Sequence, residues 1–146
     1  MAKSLLDTDM FSEILKGVDV IVAQRAAAYR ATYEHYTIAS ITVMEIVKGL
    51  HKVRREERIQ QLLQHLTIVE VVSLTQQDAV VAGRISADLE RTGQPIGRAD
   101  PMIAAIARQQ GLTLVSGNTA HYERVRILGY PLVLDNWRFP AYSEQS

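Results

Sequence analysis

The chain has 146 residues, 47% of them hydrophobic and 22% charged, which suits one soluble globular domain with a sizeable core. Sixteen basic residues balance sixteen acidic ones, so net charge selects neither nucleic acid nor membrane, and any such surface must arise from local clustering. The absence of cysteine excludes disulfides, thiol nucleophiles, thiolate zinc sites and iron–sulfur clusters; with no apolar run long enough to span a membrane and no signal-peptide core, the expectation is a cytoplasmic protein.

In chain order, Ser4–Leu6 reads as a short buried strand and Thr8–Lys16 as a helix stopped at Gly17. Residues 19–33 carry a loose helical stripe (Val20, Ile21, Ala23, Ala27, Ala28, Ala31) that Asp19 can cap. Residues 37–40 are short and β-branched, a second strand. Ser40 or Thr42 opens the next helix, and Glu45, three residues after Thr42, matches a capping box. Residues 54–65 form a polar helix with Ile59, Leu62, Leu63 and Leu66 on one face. Residues 68–72 make a third strand and 75–89 a long helix. A turn at 91–95 leads to Asp100 and Pro101, an N-cap acid followed by proline at the first helical position. The helix to Gln110 is unusually apolar. Residues 113–115 form strand four, Ser116-Gly117-Asn118 a tight turn, 121–125 one helical turn and 132–134 a last strand; from about residue 135 the chain reads as a surface extension. Strand–helix alternation over residues 1–146 predicts a single α/β domain, three layers (α/β/α) around a parallel sheet of about five strands.

In such a sheet, ligands gather outside the carboxyl ends of the strands. Asp7 follows strand one, Glu45 follows strand two, Asp100 starts the helix leading into strand four, and Ser116 and Asn118 follow strand four. Asp7 is also a good N-cap, so its position alone has a purely structural explanation. Three carboxylates in one cleft repel each other and raise one another's pKa. A hard divalent cation relieves that, and oxygen-only ligation suits Mg²⁺, with Mn²⁺ as the alternative. Such a metal polarises a phosphoryl oxygen and activates water.

Three segments carry a resemblance to a known family: Leu5-Leu6-Asp7-Thr8-Asp9, residues 40–50 around Glu45, and Ile96-Gly97-Arg98-Ala99-Asp100-Pro101-Met102-Ile103-Ala104-Ala105. In this order and spacing they resemble the motifs of PIN-domain nucleases, and among those the VapC-type ribonuclease toxins of bacterial toxin–antitoxin pairs. The resemblance implies a metal-dependent endoribonuclease with Asp7, Glu45 and Asp100 as metal-site acids. It also implies neutralisation by a VapB-like antitoxin, and contact with DNA only indirectly, through that antitoxin. Many members carry a further acid after strand four; here Asn118 stands in that region, with His121 before Tyr122. One bound ion is therefore expected rather than two. Asn118 completes the catalytic set, and Ser116, Arg98 and Lys48 are the substrate-binding candidates. Lys48 begins a basic run through Lys52, Arg54, Arg55 and Arg58 that can attract phosphate, although Glu56 and Glu57 interrupt it.

Two other readings share these residues. Asp7-Thr8-Asp9 resembles the Asp-x-Asp of haloacid-dehalogenase-type phosphatases, but no lysine follows Lys52 and Asp100 has no acidic neighbour. A catalytically weakened binding module is the other, because Asn118 and His121 replace acids. A homodimer is expected from Met10, Phe11, Ile14, Leu15, Ala27 and Tyr29, an apolar set larger than one sheet face requires.

Overall fold

The structure, a computed structural model, describes residues 1–141. Five strands make one sheet: β1 (Ser4–Leu6), β2 (Thr37–Ala39), β3 (Glu70–Val72), β4 (Thr113–Val115) and β5 (Leu134–Asp135). Their order is β3-β2-β1-β4-β5 and every pairing is parallel. The chain winds outward from β1 to β3, then returns across the sheet to β4 and β5. The reversal leaves a crevice between the carboxyl ends of β1 and β4.

Among the described residues, seven α-helices cover the two faces: α1 (Thr8–Lys16), α2 (Val20–Tyr33), α3 (Ser40–Lys52), α4 (Glu56–His65), α5 (Gln76–Arg91), α6 (Ala99–Gln110) and α7 (Thr119–Ile127). Strand side chains alternate between faces. Leu5, Ala39 and Leu114 point to the layer of α5, α6 and α7, where they meet Ile85, Ile103, Ile106 and Val125. Leu6, Ile38 and Val115 point to the other layer, against Met10, Phe11, Val22, Tyr29 and Leu62. Each large side chain so buried contributes about 1.5–3 kcal/mol. These two cores hold the central strands, and hence the crevice, in place.

Several boundaries differ from expectation. The capping box of Thr42 and Glu45 does not form: α3 starts at Ser40 after Ala39, with no side-chain cap, so Glu45 lies in the second turn. Asp100 is the second residue of α6, not its cap, and Pro101 is the third; Arg98 is the flanking residue. Proline is accepted there because first-turn N–H groups have no helical partner. Arg54 takes a left-handed φ of 57°, which ends the preceding helix and delays α4 to Glu56. β3 begins at Glu70, since Ile68 closes a 3-10 turn. α7 extends well beyond one turn, and β5 begins two residues later than expected.

The region from residue 135 is no loose extension as far as it is described. Asp135 pairs in β5 and Trp137 is 3% exposed, its ring 5.3 Å from that of Tyr29. Residues 142–146 lie outside the described residues. The apolar surplus of the N-terminal helices is also absorbed: Met10, Phe11 and Tyr29 are core residues, each at most 1% exposed. Leu15 and Ala27 stay at the surface.

Candidate active site

Asp7 leaves β1 directly into α1. Its backbone N–H donates to the Val115 carbonyl at 3.0 Å, tying it to β4, and its Oδ1 accepts from the Met10 N–H at 2.8 Å as the cap of α1. The residue is 5% exposed. Burial pushes its carboxyl up from 3.8 to about 6; the Ser116 side chain and the Met10 N–H oppose the rise, and the charges of Asp9 and Asp100 add to it. The cap is thus real, but the cap alone does not explain a carboxylate sunk beside two others.

Asp100 enters the pocket from the first turn of α6. Burial raises its pKa, the neighbouring His121 and Tyr122 side chains lower it, and the Glu45 charge raises it. Glu45 reaches across from α3, where its Oε1 accepts the Thr8 hydroxyl at 2.5 Å; Thr8 also contacts the buried Thr42 hydroxyl at 3.0 Å. The charges of Asp7 and Asp100 act on each other, and that of Glu45 acts on Asp100, so the three acids lie in the same region. Asp9 joins them at the exposed rim.

The turn after β4 supplies the opposite wall. Ser116 is fully buried and its Oγ accepts the Asn118 N–H at 2.8 Å. Asn118 Nδ2 is 3.0 Å from His121 Nδ1, which is 3.6 Å from Asp100 Oδ2. Both contacts use Nδ1, so the imidazole lies beside the position lacking an acid and close to Asp100 without bridging them. Beneath them Tyr122 is 1% exposed, and its hydroxyl approaches Asp100 without completing a hydrogen bond. Burial, with the charges of Asp7 and Asp100, pushes its pKa well up.

Two substrate-binding candidates stand further out. Lys48 is exposed one turn along α3 from Glu45, on the same side of the helix. Arg98 is exposed and lines a small cavity with Leu89, Glu90 and Ile96 under α5. Arg55 and Arg58 of the basic run line a separate cleft between α1, α3 and α4.

Sequence reasoning missed Thr8, Tyr122 and Arg138. Thr8 was legible in the first motif, and Tyr122 as the aromatic beside His121. Arg138 had no signal: it reaches Gly117 and Glu13 only through the fold.

The donor set is compatible with a hard divalent ion. All three carboxylates supply oxygen, Asp7 and Asp100 are held above the ordinary range, and the Tyr122 hydroxyl is left unpaired at the pocket floor. Among the described residues, no three acidic or histidine groups close tightly on one point.

A family model described as the PIN domain matches residues 4–128. The chain belongs to the PIN-domain family. Within that family its relatives are VapC proteins. It is 32% identical over 126 residues to the tRNA(fMet)-specific endonuclease VapC of Shigella flexneri, covering 86% of this chain and 93% of that protein. It is 33% identical over 141 residues to Ribonuclease VapC2 of Haemophilus influenzae, covering 94% and 99%. Its fold matches a chain of the DNA-bound VapBC complex from Salmonella typhimurium with TM-score 0.77 at 30% identity, over 94% of this chain and 99% of that one. PIN-domain membership displaces the phosphatase reading of Asp7 and Asp9.

Proposed function

We propose that this VapC-type chain is a metal-dependent endoribonuclease toxin, hydrolysing RNA phosphodiester bonds and neutralised by a VapB-type antitoxin. The observation that carries the reading is the gathering of Asp7, Glu45 and Asp100 at the crevice between β1 and β4, with Asp7 raised to about 6. The ribonuclease activity of the VapC relatives supports the substrate class. RNA as substrate implies action in the cytoplasm.

Asp7 and Asp100 would hold Mg²⁺, with Mn²⁺ as a substitute, directly or through water. When bound, the ion supplies Lewis-acid stabilisation of the phosphoryl oxygen and an activated water. The protein's own part is to keep the acids in place. Met10 and Ser116 hold Asp7, Thr8 orients Glu45, and His121, against Asn118, lies close to Asp100. Glu45 positions the attacking water or completes the acidic pocket. Ser116 and Lys48 serve the substrate side, and Asn118 offers a carbonyl where an acid is missing. Arg98 is the weakest of the substrate candidates, given its position under α5.

A receiving surface for the antitoxin would lie on the N-terminal helices. A cleft of about 730 Å³ between α1, α3 and α4 is lined by Leu15, Val18, Ile46 and Leu50 together with the cations Lys16, Arg55 and Arg58 and the single acid Glu57. An amphipathic helix with acidic flanks matches it. VapB accompanies VapC in the Salmonella assembly, whose DNA belongs to that complex; here DNA contact would come through the antitoxin. Homodimerisation completes the proposal, without the core residues first assigned to it.

The test is cleavage of RNA by purified protein in Mg²⁺ with and without EDTA. Loss in EDTA and in Asp7→Asn and Asp100→Asn supports the reading; full cleavage in both variants would sink the site assignment. The replacement of acids by Asn118 and His121 favours one second reading, a weakened member that binds antitoxin without turning over RNA. Antitoxin binding with no cleavage under any divalent ion would select it.

A further inference from the structure

The C-terminal segment carries a cation to the mouth of the pocket. Arg25 fastens that segment: its guanidinium pairs with both Asp135 carboxylate oxygens, at 2.6 and 3.1 Å, and donates to the carbonyls of Asn136 and Phe139 at 3.1 and 3.2 Å. Trp137, buried against Tyr29, sets the register. The next residue, Arg138, is thereby directed back over the β4 exit turn. Its Nε donates to Glu13 Oε2 and Oε1 at 2.8 and 3.1 Å, and its Nη1 to the Gly117 carbonyl at 3.4 Å.

This placement depends on a missing side chain. A Cβ at Gly117 would stand 2.5 Å from the Arg138 Cζ and 2.6 and 2.8 Å from its terminal nitrogens. The guanidinium therefore lies flat against a glycine whose neighbour, Ser116, touches Asp7. The charges of Asp9 and Asp7 both act on it. Among the described residues its Nη2 makes no hydrogen bond, and the side chain is 43% exposed. Two N–H groups of a planar fork are thus free beside a pocket of carboxylates, where a phosphodiester entering the pocket would pass.

We propose that Arg138 binds the RNA backbone, gripping a phosphate beside the one being cleaved, while Glu13 and Gly117 hold its guanidinium ready. Guanidinium is suited to this because its donors match two phosphate oxygens at once. Glu13 fixes one edge of the fork and leaves the other for substrate, so little side-chain freedom is lost on binding. This inference rests on reading the pocket as a ribonuclease site.

Three variants test it: Arg138→Ala, Arg138→Lys and Gly117→Ala, the last displacing the fork while keeping its charge. Cleavage of an RNA oligonucleotide in Mg²⁺ gives KM and kcat. Binding of a labelled single-stranded oligoribonucleotide to the same variants in an Asp100→Asn background, across a range of salt, gives the number of phosphates neutralised. Arg138→Ala should raise KM roughly tenfold with kcat nearly unchanged, as for loss of a charged hydrogen bond. Its salt slope should fall by about 0.7, one phosphate's worth on a single strand. Arg138→Lys should restore the slope but only part of the affinity. Gly117→Ala should weaken binding with the slope kept. An unchanged KM and slope in Arg138→Ala overturns the proposal, as does a loss that follows a fall in melting temperature and is not relieved by lysine. If the unsubstituted protein cleaves nothing, the ribonuclease reading fails by itself. The binding measurements still decide Arg138: absent RNA binding, or an unaltered slope, overturns its role.

Discussion

Thr8 gives its hydroxyl proton to Glu45 at 2.5 Å, joining the first turn of α1 to the second turn of α3 across the pocket mouth. The same oxygen lies 3.0 Å from the buried Thr42 hydroxyl. The bond holds Glu45 facing the other two acids despite their repulsion, something its helix alone does not do. Thr8→Val keeps the shape and removes the donor. It should lower kcat roughly tenfold and stability by about 1 kcal/mol, the usual worth of such a bond. Equal rates for the variant and the unsubstituted protein would show that Glu45 needs no holding.

Asp7 makes stability depend on pH in a definite direction. Its folded pKa, about 6, lies above the ordinary 3.8. The folded state therefore holds the proton more tightly, and metal-free stability falls as pH rises from about 4 to about 6. The full penalty persists above that and is about 3 kcal/mol. Asparagine is neutral and caps a helix as well as aspartate. Asp7→Asn should therefore be inactive yet more stable than the unsubstituted protein at pH 8 in EDTA. Mg²⁺ should narrow the gap by stabilising only the unsubstituted protein. Thermal melts at pH 5 and pH 8 read both effects.

Much of this arrangement is legible in the chain. Leu5 and Leu6 before Asp7 announce a buried strand opening onto an acid, and the strand–helix alternation requires a parallel sheet. The errors come from local rules that tertiary contacts override. Thr42 and Glu45 have capping-box spacing, but Glu45 finds a better donor in Thr8, on another helix. Asp100 and Pro101 resemble a cap and first position, yet any first-turn position tolerates proline. Met10, Phe11 and Tyr29 looked surplus because the second core, completed by Trp137, was invisible. Nothing near Trp137 in the chain indicates that it returns to Tyr29, and so Arg138 could not be placed.

Asn118 marks the missing acid, and its replacement is a direct test. Asn118→Asp should tighten Mg²⁺ or Mn²⁺ binding several-fold by adding a negative oxygen donor to the pocket. The Mg²⁺ concentration giving half-maximal cleavage should fall accordingly. An unchanged requirement would place the ion away from the β4 turn, nearer Glu45.

Metal and antitoxin should compete for the same charge. An antitoxin arginine or lysine presented to Asp7 and Asp100 would replace the cation with a charge-assisted hydrogen bond. Antitoxin affinity should then fall as Mg²⁺ rises and weaken in Asp100→Asn. Arg98→Ala should leave it unchanged, since Arg98 lies under α5. Calorimetric titrations at several Mg²⁺ concentrations would check this. Affinity indifferent to both Mg²⁺ and Asp100→Asn would mean that the helix cleft alone carries the complex.

The fastening of Asp135, Trp137 and Arg138 to the first third of the chain has a consequence for biosynthesis. Asp7, Glu45 and Asp100 are all translated before α7 is finished, but β5 and the Tyr29–Trp137 packing come afterwards. Until then one sheet edge is unpaired and one core lacks its largest ring. Parallel pairing between distant segments is also slow to form. A nascent chain therefore carries every acid of the site before its second core is complete. Packing of Trp137 on Tyr29 is therefore expected to be the last step in completing that core.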